Sequence, residues 1–203
     1  MTIDPKTLTA REVYGLLISA IVPRPIAFVT SMDERDVVNA APYSFFNAIA
    51  SSPPLLMISA NRKKGSQKQT TKNILARKEF VVNIVHEAMA VAVNTASADF
   101  PEEISKIDLL GVTLLPSLRI SPPRIADSLV HCECTLYKHI EIGNEPVDLI
   151  IGEIVQFHVE DALFVDGVID QTRFEPIARM GGNFYSRTND LFQLERYKHD
   201  QKK

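Results

Sequence analysis

The sequence predicts a mainly β protein, an antiparallel Greek-key barrel with helical excursions. Three observations predict it. Six or seven segments of the 203-residue chain carry strand patterning, whereas only three or four short ones carry helix patterning. The strand segments do not alternate with helices, as a doubly wound parallel sheet would require. Two of them, Leu129 to Ile142 and Asp148 to Val159, alternate side-chain character with a period of two throughout their length.

In chain order, Thr9 to Ile21 reads as a short helix. Thr9 and Glu12 have capping-box spacing, so each can answer a backbone N–H left over at the helix start. Pro23 and Pro25 then force an extended path. Ile26 to Ser31 is apolar and β-branched enough for a strand, and Met32 to Asp36 is a charged turn. Val37 to Phe46 reads as one strand. Pro42 marks an edge or a bulge in it, because proline cannot donate to a ladder. Leu55 to Ala60 follows Pro53 and Pro54 as the next strand. Ser66 and Gln69 make a second capping box, opening a helix that runs to Lys78. Phe80 to Val85 is a strand and Ala88 to Thr95 a helix. Pro101 opens another helix, with Glu102 and Glu103 in its first turn. Leu114 to Ile120 is ambiguous between states.

Leu129 to Ile142 is a half-buried strand, with Val130, Cys132, Cys134 and Leu136 opposed to His131, Glu133, Thr135 and Tyr137. Gly143 to Pro146 turns the chain. In Asp148 to Val159, the side chains Ile150, Gly152, Ile154, Gln156 and His158 share a face. The last forty residues hold a loop around Met180-Gly181-Gly182 and little regular pattern. Residues 195–203 form a polar, fraying tail. One domain is expected over 1–203, with its core between residues 10 and 186.

Composition narrows the function. Apolar residues make up 45% and charged residues 23%, an ordinary globular mixture. The 22 Lys and Arg against 25 Asp and Glu leave a charge of −3, which does not call for nucleic acid or an anionic membrane. The apolar stretch from Tyr14 to Val29 is broken by Ser19, Pro23, Arg24 and Pro25, so no membrane span is expected. The N-terminal MTIDPKTLTAREVYGLL lacks the basic and apolar regions of a secretory signal, and a cytoplasmic setting is expected. With 8 Gly and 12 Pro, a glycine-loop nucleotide fold is disfavoured. Two cysteines do not make a disulfide framework. Cys132 and Cys134 lie roughly 6.6 Å apart at strand rise, the long end of disulfide geometry, and read as core thiols.

The segment from Ser59 to Thr70, SANRKKGSQKQT, concentrates chemistry. Three Lys, one Arg, two Ser and one Thr run from a strand end into a helix start. Phosphate needs positive charge, hydroxyl donors and unpaired amides, and all three are expected here. The GxxxxGK[ST] pattern is absent, so this is no Walker loop. On spacing alone, a solvated basic turn over a capped helix competes with a phosphate cradle. Asn39 to Asn47, NAAPYSFFN, mixes polar residues with aromatics around Pro42. Freed backbone groups, Ser44 and Asn47 could bind the edge of a planar heterocycle; the pattern alone favours a buried, bulged strand. His131 and Glu133 share a face, but two ligands do not make a zinc site, and no metal is expected. His158 ends a strand where a site could open, although a lone histidine is more often structural. Arg179 and Tyr185 flank a glycine-hinged loop that either covers a ligand or simply turns.

These stretches, in this order, resemble the flavin reductase-like family, whose fold is the FMN-binding split barrel. They are Val22 to Ser31 (VPRPIAFVTS), Asn39 to Asn47 (NAAPYSFFN), Ser52-Pro53-Pro54, Gly65 to Thr70 with Asn73-Ile74, and Glu79 to Asn83 (EFVVN). Gly152 to Val155 with His158, and Arg179 to Tyr185, complete the series. Where the family motif reads Lys-Asp-Thr, Gln69 stands between Lys68 and Thr70. The turn after the first strand, Asp33 to Asp36, lacks the family's usual glycine.

The resemblance implies a homodimer that binds FMN, or FAD in some members, near the subunit interface. It places Thr30, Ser31 and the run Tyr43, Ser44, Phe45, Asn47 and Ala48 along the isoalloxazine ring. It places Ser59, Arg62, Lys68 and Thr70 near the ribityl phosphate and adds Ser66 and Arg179 to the cofactor-binding set. His158 and Tyr185 fall on the substrate side. Many members take hydride from NADH or NADPH and pass electrons to flavin or serve a partner oxygenase. Others only carry electrons, so a non-catalytic electron-transfer flavoprotein stands as the alternative. Flavin accepts the hydride itself, and no protein nucleophile is called for. The helical insert from about Glu87 to Leu110 and the Met180 loop are the expected places for acceptor choice.

Overall fold

The computed structural model describes residues 1–98, 100 and 106–197. A 3-10 turn at Pro5–Thr7 leads into helix α1, Ala10–Ala20. The expected capping box is present: the Glu12 N–H donates to Thr9 Oγ1, and the Thr9 N–H donates to Glu12 Oε2. Strands β1 (Arg24–Pro25), β2 (Ala27–Met32), β3 (Val38–Tyr43), β4 (Phe46–Ser51) and β5 (Pro54–Asn61) follow. Helix α2 (Gln69–Arg77) and β6 (Glu79–Ile84) precede the helical excursion, α3 (Ala90–Ala96) and α4 (Lys106–Leu110). Then come β7 (Leu114–Leu115), β8 (Arg124–Ile125), β9 (Val130–Ile142) and β10 (Val147–Val159). Two hairpins finish the described chain: β11 (Phe164–Val165) with β12 (Val168–Ile169), and β13 (Ile177–Arg179) with β14 (Tyr185–Arg187).

Seven strands form one sheet in the order β3-β2-β6-β9-β10-β5-β4, antiparallel at every step. The two edge strands, β3 and β4, are consecutive in the chain and joined only by Ser44 and Phe45. A two-residue link cannot span an open seven-stranded sheet, so the sheet must curl until its edges meet. The Ser59 N–H donates to the Phe45 carbonyl at 2.8 Å beside this seam. The result is a barrel that is split between β3 and β4, since no ladder joins them.

Alternation along β2 builds the interior on both sides. Ala27 and Val29 join Leu56, Ile58, Phe80, Val82, Cys132, Cys134 and Ile150 inside the barrel. Ile26 and Phe28 face the other way, against Val85, Met89, Val93, Ala96 and Ile125 under α3. Gly152 is required where β10 passes Phe80: a Cβ there would lie 2.4 Å from Phe80 Cζ. Pro42 sits on an edge strand, as its missing N–H demands. Asp36 takes φ +65 in the glycine-free turn, whose amides Arg35 and Val37 donate to the Asp33 carboxylate.

Five expectations are corrected. The single strand Val37 to Phe46 is two strands; the chain breaks at Ser44 and Phe45, and the almost wholly exposed β4 carries no apolar alternation to reveal it. The Ser66–Gln69 capping box does not form. Ser66 instead closes a tight turn, its N–H donating to the Lys63 carbonyl with Gly65 at φ +78, so the N-cap is Lys68 and α2 starts two residues later than the box would place it. The first half of β9 is buried on both faces, because residues 117–125 cover the His131 and Glu133 side. A bulge at Val155 shifts the register of β10 between Ile154 and Gln156, so Ile154 pairs with Cys134 whereas Gln156 and His158 pair with Glu133 and His131. The region after residue 160 holds two hairpins, and β13 pairs with β1 to make a second small sheet. The helix expected from Pro101 begins outside the described residues.

Candidate functional site

The residues around the start of α2 come together from three elements, α2, β3 and β2. Lys68 is the N-cap and makes no side-chain cap bond, so the first-turn amides of α2 are open to another acceptor. Its Nζ lies 5.8 Å from the centroid of the Tyr43 ring at the end of β3. Thr70 is buried, and its Oγ1 accepts from Asn39 Nδ2 at 2.9 Å. Asn73 reaches back to β2, donating to Ser31 Oγ at 3.2 Å, and accepts from Gln69 Nε2 at 2.6 Å. Gln69 therefore serves the helix side and leaves Lys68 without a neighbouring acid.

Tyr43 is 5% exposed, and its hydroxyl has no hydrogen-bond partner. Burial pushes the phenol up to about 12; the Thr70 side chain, near enough to act on it but not placed for a well-formed hydrogen bond, works in the opposite direction. A neutral, unpartnered donor beside an ammonium and the start of a helix is the kind of donor set that an anion needs. Thr71 Oγ1 is likewise buried and unpartnered. This donor set fits a phosphate group.

The arginine of the basic segment has another role. Arg62 grips Asp148 with two bonds, Nη2 to Oδ1 at 2.6 Å and Nε to Oδ2 at 3.1 Å, and reaches Glu141 at 2.8 Å. His139 Nε2 and Gln67 Nε2 bond the same Asp148 oxygen at 2.9 and 3.1 Å. Asp148 has no exposed surface. Burial alone would raise its carboxyl, but Arg62, His139 and Gln67 together hold it below the usual range. Arg62 is raised in turn by Asp148 and Glu141. His139, Glu141 and Asp148 place their ligand atoms within 4.8 Å of one another, as a metal site would, but the guanidinium sits on the two carboxylates. Arg62 thus braces the β9–β10 hairpin against β5. Ser59, half-buried on β5, and Ser66, exposed in the turn, lie on either side of it in the chain.

Along the expected ring segment, Thr30 and Ser31 are fully enclosed. Thr30 Oγ1 donates to the Pro123 carbonyl at 2.6 Å, so these two residues support the floor of the barrel rather than present hydroxyls. Ser44, Phe45, Asn47 and Ala48 lie at the seam. Asn47 and Ala48 are exposed on β4, where Asn47 Oδ1 accepts from the Ala48 N–H. Phe45 is flanked by Tyr14 of α1, ring centroids 6.3 Å apart, and by the Arg24 guanidinium at 5.9 Å.

Arg24 is a residue that sequence reading passed over, although VPRP marks it. It is 6% exposed and has no carboxylate partner. It donates to the Ile18 and Ile21 carbonyls at the end of α1, where the helix dipole is negative, and to the Met180 carbonyl. Arg179 lies 4.6 Å over the Tyr185 ring and donates to the Gly182 carbonyl, while its Nη1 is buried without a partner. Tyr185 Oη reaches Asn94 at 3.4 Å. His158 is not brought to this group. Its Nε2 bonds Glu133 at 2.5 Å, and Glu133 also accepts from the Leu118 and Arg119 amides. These bonds hold Glu133 low against the cost of its burial. His158 is therefore part of the buried clasp that fixes residues 117–125.

Two cavities, of about 360 and 130 Å³, lie elsewhere, the larger between Met89–Thr95 of the α3 region and Leu109–Val112, the smaller around His86, Glu87, Arg173 and Arg187. No residue of the expected flavin set lines either one. Several residues of the expected set lie along the seam, from Lys68 at the α2 start past Tyr43 to Phe45 beside α1.

An antiparallel barrel split at its edges, with an uncapped helix start beside the split, is the architecture of a class of flavin-binding folds. The chain belongs to that class: residues 19–178 match the flavin reductase like domain family. Nitrilotriacetate monooxygenase component B from Bacillus cereus superposes with a TM-score of 0.92 at 38% identity, covering 96% of this chain and 98% of that one. The 2-nitrobenzoate 2-nitroreductase of Pseudomonas fluorescens gives 0.89 at 36%, covering 97% and 96%. An uncharacterised protein of Halalkalibacterium halodurans is 42% identical over 201 residues, 97% of this chain and 96% of its own length. The flavoredoxin of Desulfovibrio vulgaris shares the fold at 21% identity and a TM-score of 0.73, covering 90% of this chain and 94% of that one. Among the described residues, no helix is long and apolar enough to cross a membrane.

Proposed function

We propose that this chain is a homodimeric, FMN-binding oxidoreductase that moves electrons from NADH or NADPH to flavin or to a flavin-dependent acceptor. The observation that carries the reading is the unpartnered Tyr43 hydroxyl beside Lys68 and the uncapped start of α2, within the fold of the flavin reductase-like family. Lys68, Tyr43 and the α2 amides hold the phosphate; Ser44, Phe45, Asn47 and Ala48 border the ring. When bound, the flavin supplies the hydride-accepting chemistry. The protein's own part is to bind, to orient and to keep one ring face open. A partner oxygenase as electron acceptor is supported by the likeness to a monooxygenase component.

The experiment is anaerobic mixing of FMN-loaded protein with NADH and then NADPH. Bleaching of the flavin band at a catalytic rate is expected and identifies the donor; stable yellow protein with either nucleotide would turn the reading to an electron carrier. Lys68→Ala is expected to weaken FMN more than riboflavin, because only FMN carries the phosphate. Equal losses, read by quenching of flavin fluorescence, would remove Lys68 from the phosphate site.

A further inference from the structure

Arg24 is the one buried arginine among the described residues. Its backbone is stiffened before its side chain makes any contact. Pro23 and Pro25 fix their own φ, and a residue ahead of proline is driven to an extended conformation. From β1 the side chain gathers three separate pieces of the chain. Nη1 donates to the Ile18 and Ile21 carbonyls at the end of α1, at 2.6 and 2.7 Å. Nη2 donates to the Met180 carbonyl at 2.9 Å, and Nε to Ser44 Oγ at 3.4 Å. Ser44 and Phe45 form the link between β3 and β4, which no ladder joins. The Ser59 bond fixes the backbone of that link, and its side chains rest on Arg24 and Tyr14.

These hydrogen bonds do not account for the charge. The acceptors are three carbonyls and a hydroxyl, all neutral, and a helix end offsets only part of a unit charge. A neutral donor could serve them without the cost of burying a cation. Arg24 also stands directly opposite Arg179 in the β1–β13 ladder, where like charges repel. Arg179 donates to the Gly182 carbonyl through Nη2, and its Nη1 is buried without an acceptor. Among the described residues, neither arginine has an acid within ion-pair distance. Two guanidiniums therefore meet unbalanced beside the seam, in a chain whose net charge is −3. A buried charge acts over several ångströms and is screened little by salt, whereas a hydrogen bond acts at contact.

We propose that Arg24 is a positioning residue for the flavin ring and that, with Arg179, it biases the site toward reduced flavin. The inference rests on the reading above, in which Ser44 and Phe45 border the ring, and deepens it. Hydride transfer brings two electrons and one proton to the ring and leaves the nicotinamide as its oxidised cation, so the ring gains one net negative charge. Unbalanced positive charge beside the Ser44–Phe45 link stabilises that added charge and acts little on the neutral oxidised ring. Lys68 does a different job. It stands beside Tyr43 at the α2 start, facing a phosphate whose charge is the same in both redox states.

The test uses the full-length, FMN-loaded protein and three variants, Arg24→Gln, Arg24→Lys and Arg179→Gln. Affinity is read by quenching of flavin fluorescence with FMN and with riboflavin, and midpoint potential by equilibration with a reference dye. Arg24→Gln is expected to weaken FMN and riboflavin by the same factor, about tenfold, because the ring and not the phosphate is disturbed. Its potential is expected to fall as reduced flavin loses about tenfold more affinity than oxidised flavin, which is about 30 mV for a two-electron couple. Arg24→Lys keeps the charge and loses the fork, so affinity falls while the potential stays near that of the parent. Arg179→Gln leaves the Arg24 bonds in place and is expected to lower the potential by itself, and it carries the test if Arg24→Gln does not fold. A parent-like potential in either glutamine variant, or an equal fall in Arg24→Lys, overturns the inference and leaves the flavin reading standing. A loss confined to FMN would place Arg24 at the phosphate and overturn it too. A parent protein that takes up neither flavin overturns both readings.

Discussion

At Gly152 a single missing side chain decides whether the barrel can pack. A Cβ would lie 2.4 Å from Phe80 Cζ and 3.2 Å from Cys134 Cβ, and Phe80 is fully buried with no space to retreat. Gly152→Ala is expected to destabilise the protein by about 1–3 kcal/mol, as overpacking does. Combining it with Phe80→Leu is expected to cost less than the two changes added, as read from denaturant midpoints. His131 makes a different prediction. Burial and the neighbouring Arg124 and His158 push its imidazole down to about 4 from 6.5. The unfolded chain then binds the extra proton between those values, so stability rises with pH across the window and falls as pH drops through it. The full shift amounts to roughly 3 kcal/mol. His131→Gln is expected to flatten that part of the stability profile, and an unchanged slope would show that another group titrates there. At this scale the sequence was least informative. It marked Lys68 and Tyr43 but could not separate Arg62, which bonds Asp148 from 86 residues away, from a phosphate ligand.

Among the elements, those whose determinants are local were legible. The Thr9–Glu12 box, the edge position of Pro42 and the two long strands each depend on neighbours a few residues apart. The errors fell where a distant partner intervenes. β9 looked half-buried because nothing in its own pattern says that residues 117–125 will lie over His131 and Glu133. The β10 bulge has no signature in the alternation it interrupts. The α2 start was displaced by a turn closing on Lys63, which left the helix uncapped and its first amides open. The Arg62–Asp148 bracket yields an element-scale prediction. Asp148→Asn is expected to lower Tm at neutral pH by loosening the β9–β10 hairpin from β5. Because the Asp148 carboxyl is held below its ordinary value, its contribution is present above the unfolded value near 4 and lost as pH falls through the lower folded one. The gap between variant and parent should therefore close in acid below about pH 4. A gap constant with pH would mean that packing, not charge, is what the carboxylate supplies.

For the whole molecule, the strand count and the absence of strict alternation were enough to choose an antiparallel barrel, and the order of motifs was enough to choose its family. What they could not show is where the barrel fails to close, since that depends on β3 and β4 each pairing on one side only. Bound FMN is expected to raise Tm with ligand concentration, as any ligand of the folded state does. Riboflavin at matched excess over its own dissociation constant should give the same shift, and a flat response to both would argue against a flavin site.

The Ser44–Phe45 link carries a consequence for how the barrel is assembled. It joins the two ends of the sheet order through two residues, as few as the Ser52-Pro53 turn between β4 and β5, whereas neighbours in the middle, such as β6 and β9, are separated by a long excursion. Loop-closure entropy grows with the length of chain to be fixed. Bringing the rims together is therefore among the least demanding steps entropically, yet it yields no barrel until the distant central ladders have formed. A joint made so readily is also the one with no ladder across it, and it can part again without unzipping the wall. The flavin ring proposed above would then meet the barrel at the one line where the cylinder was never sealed.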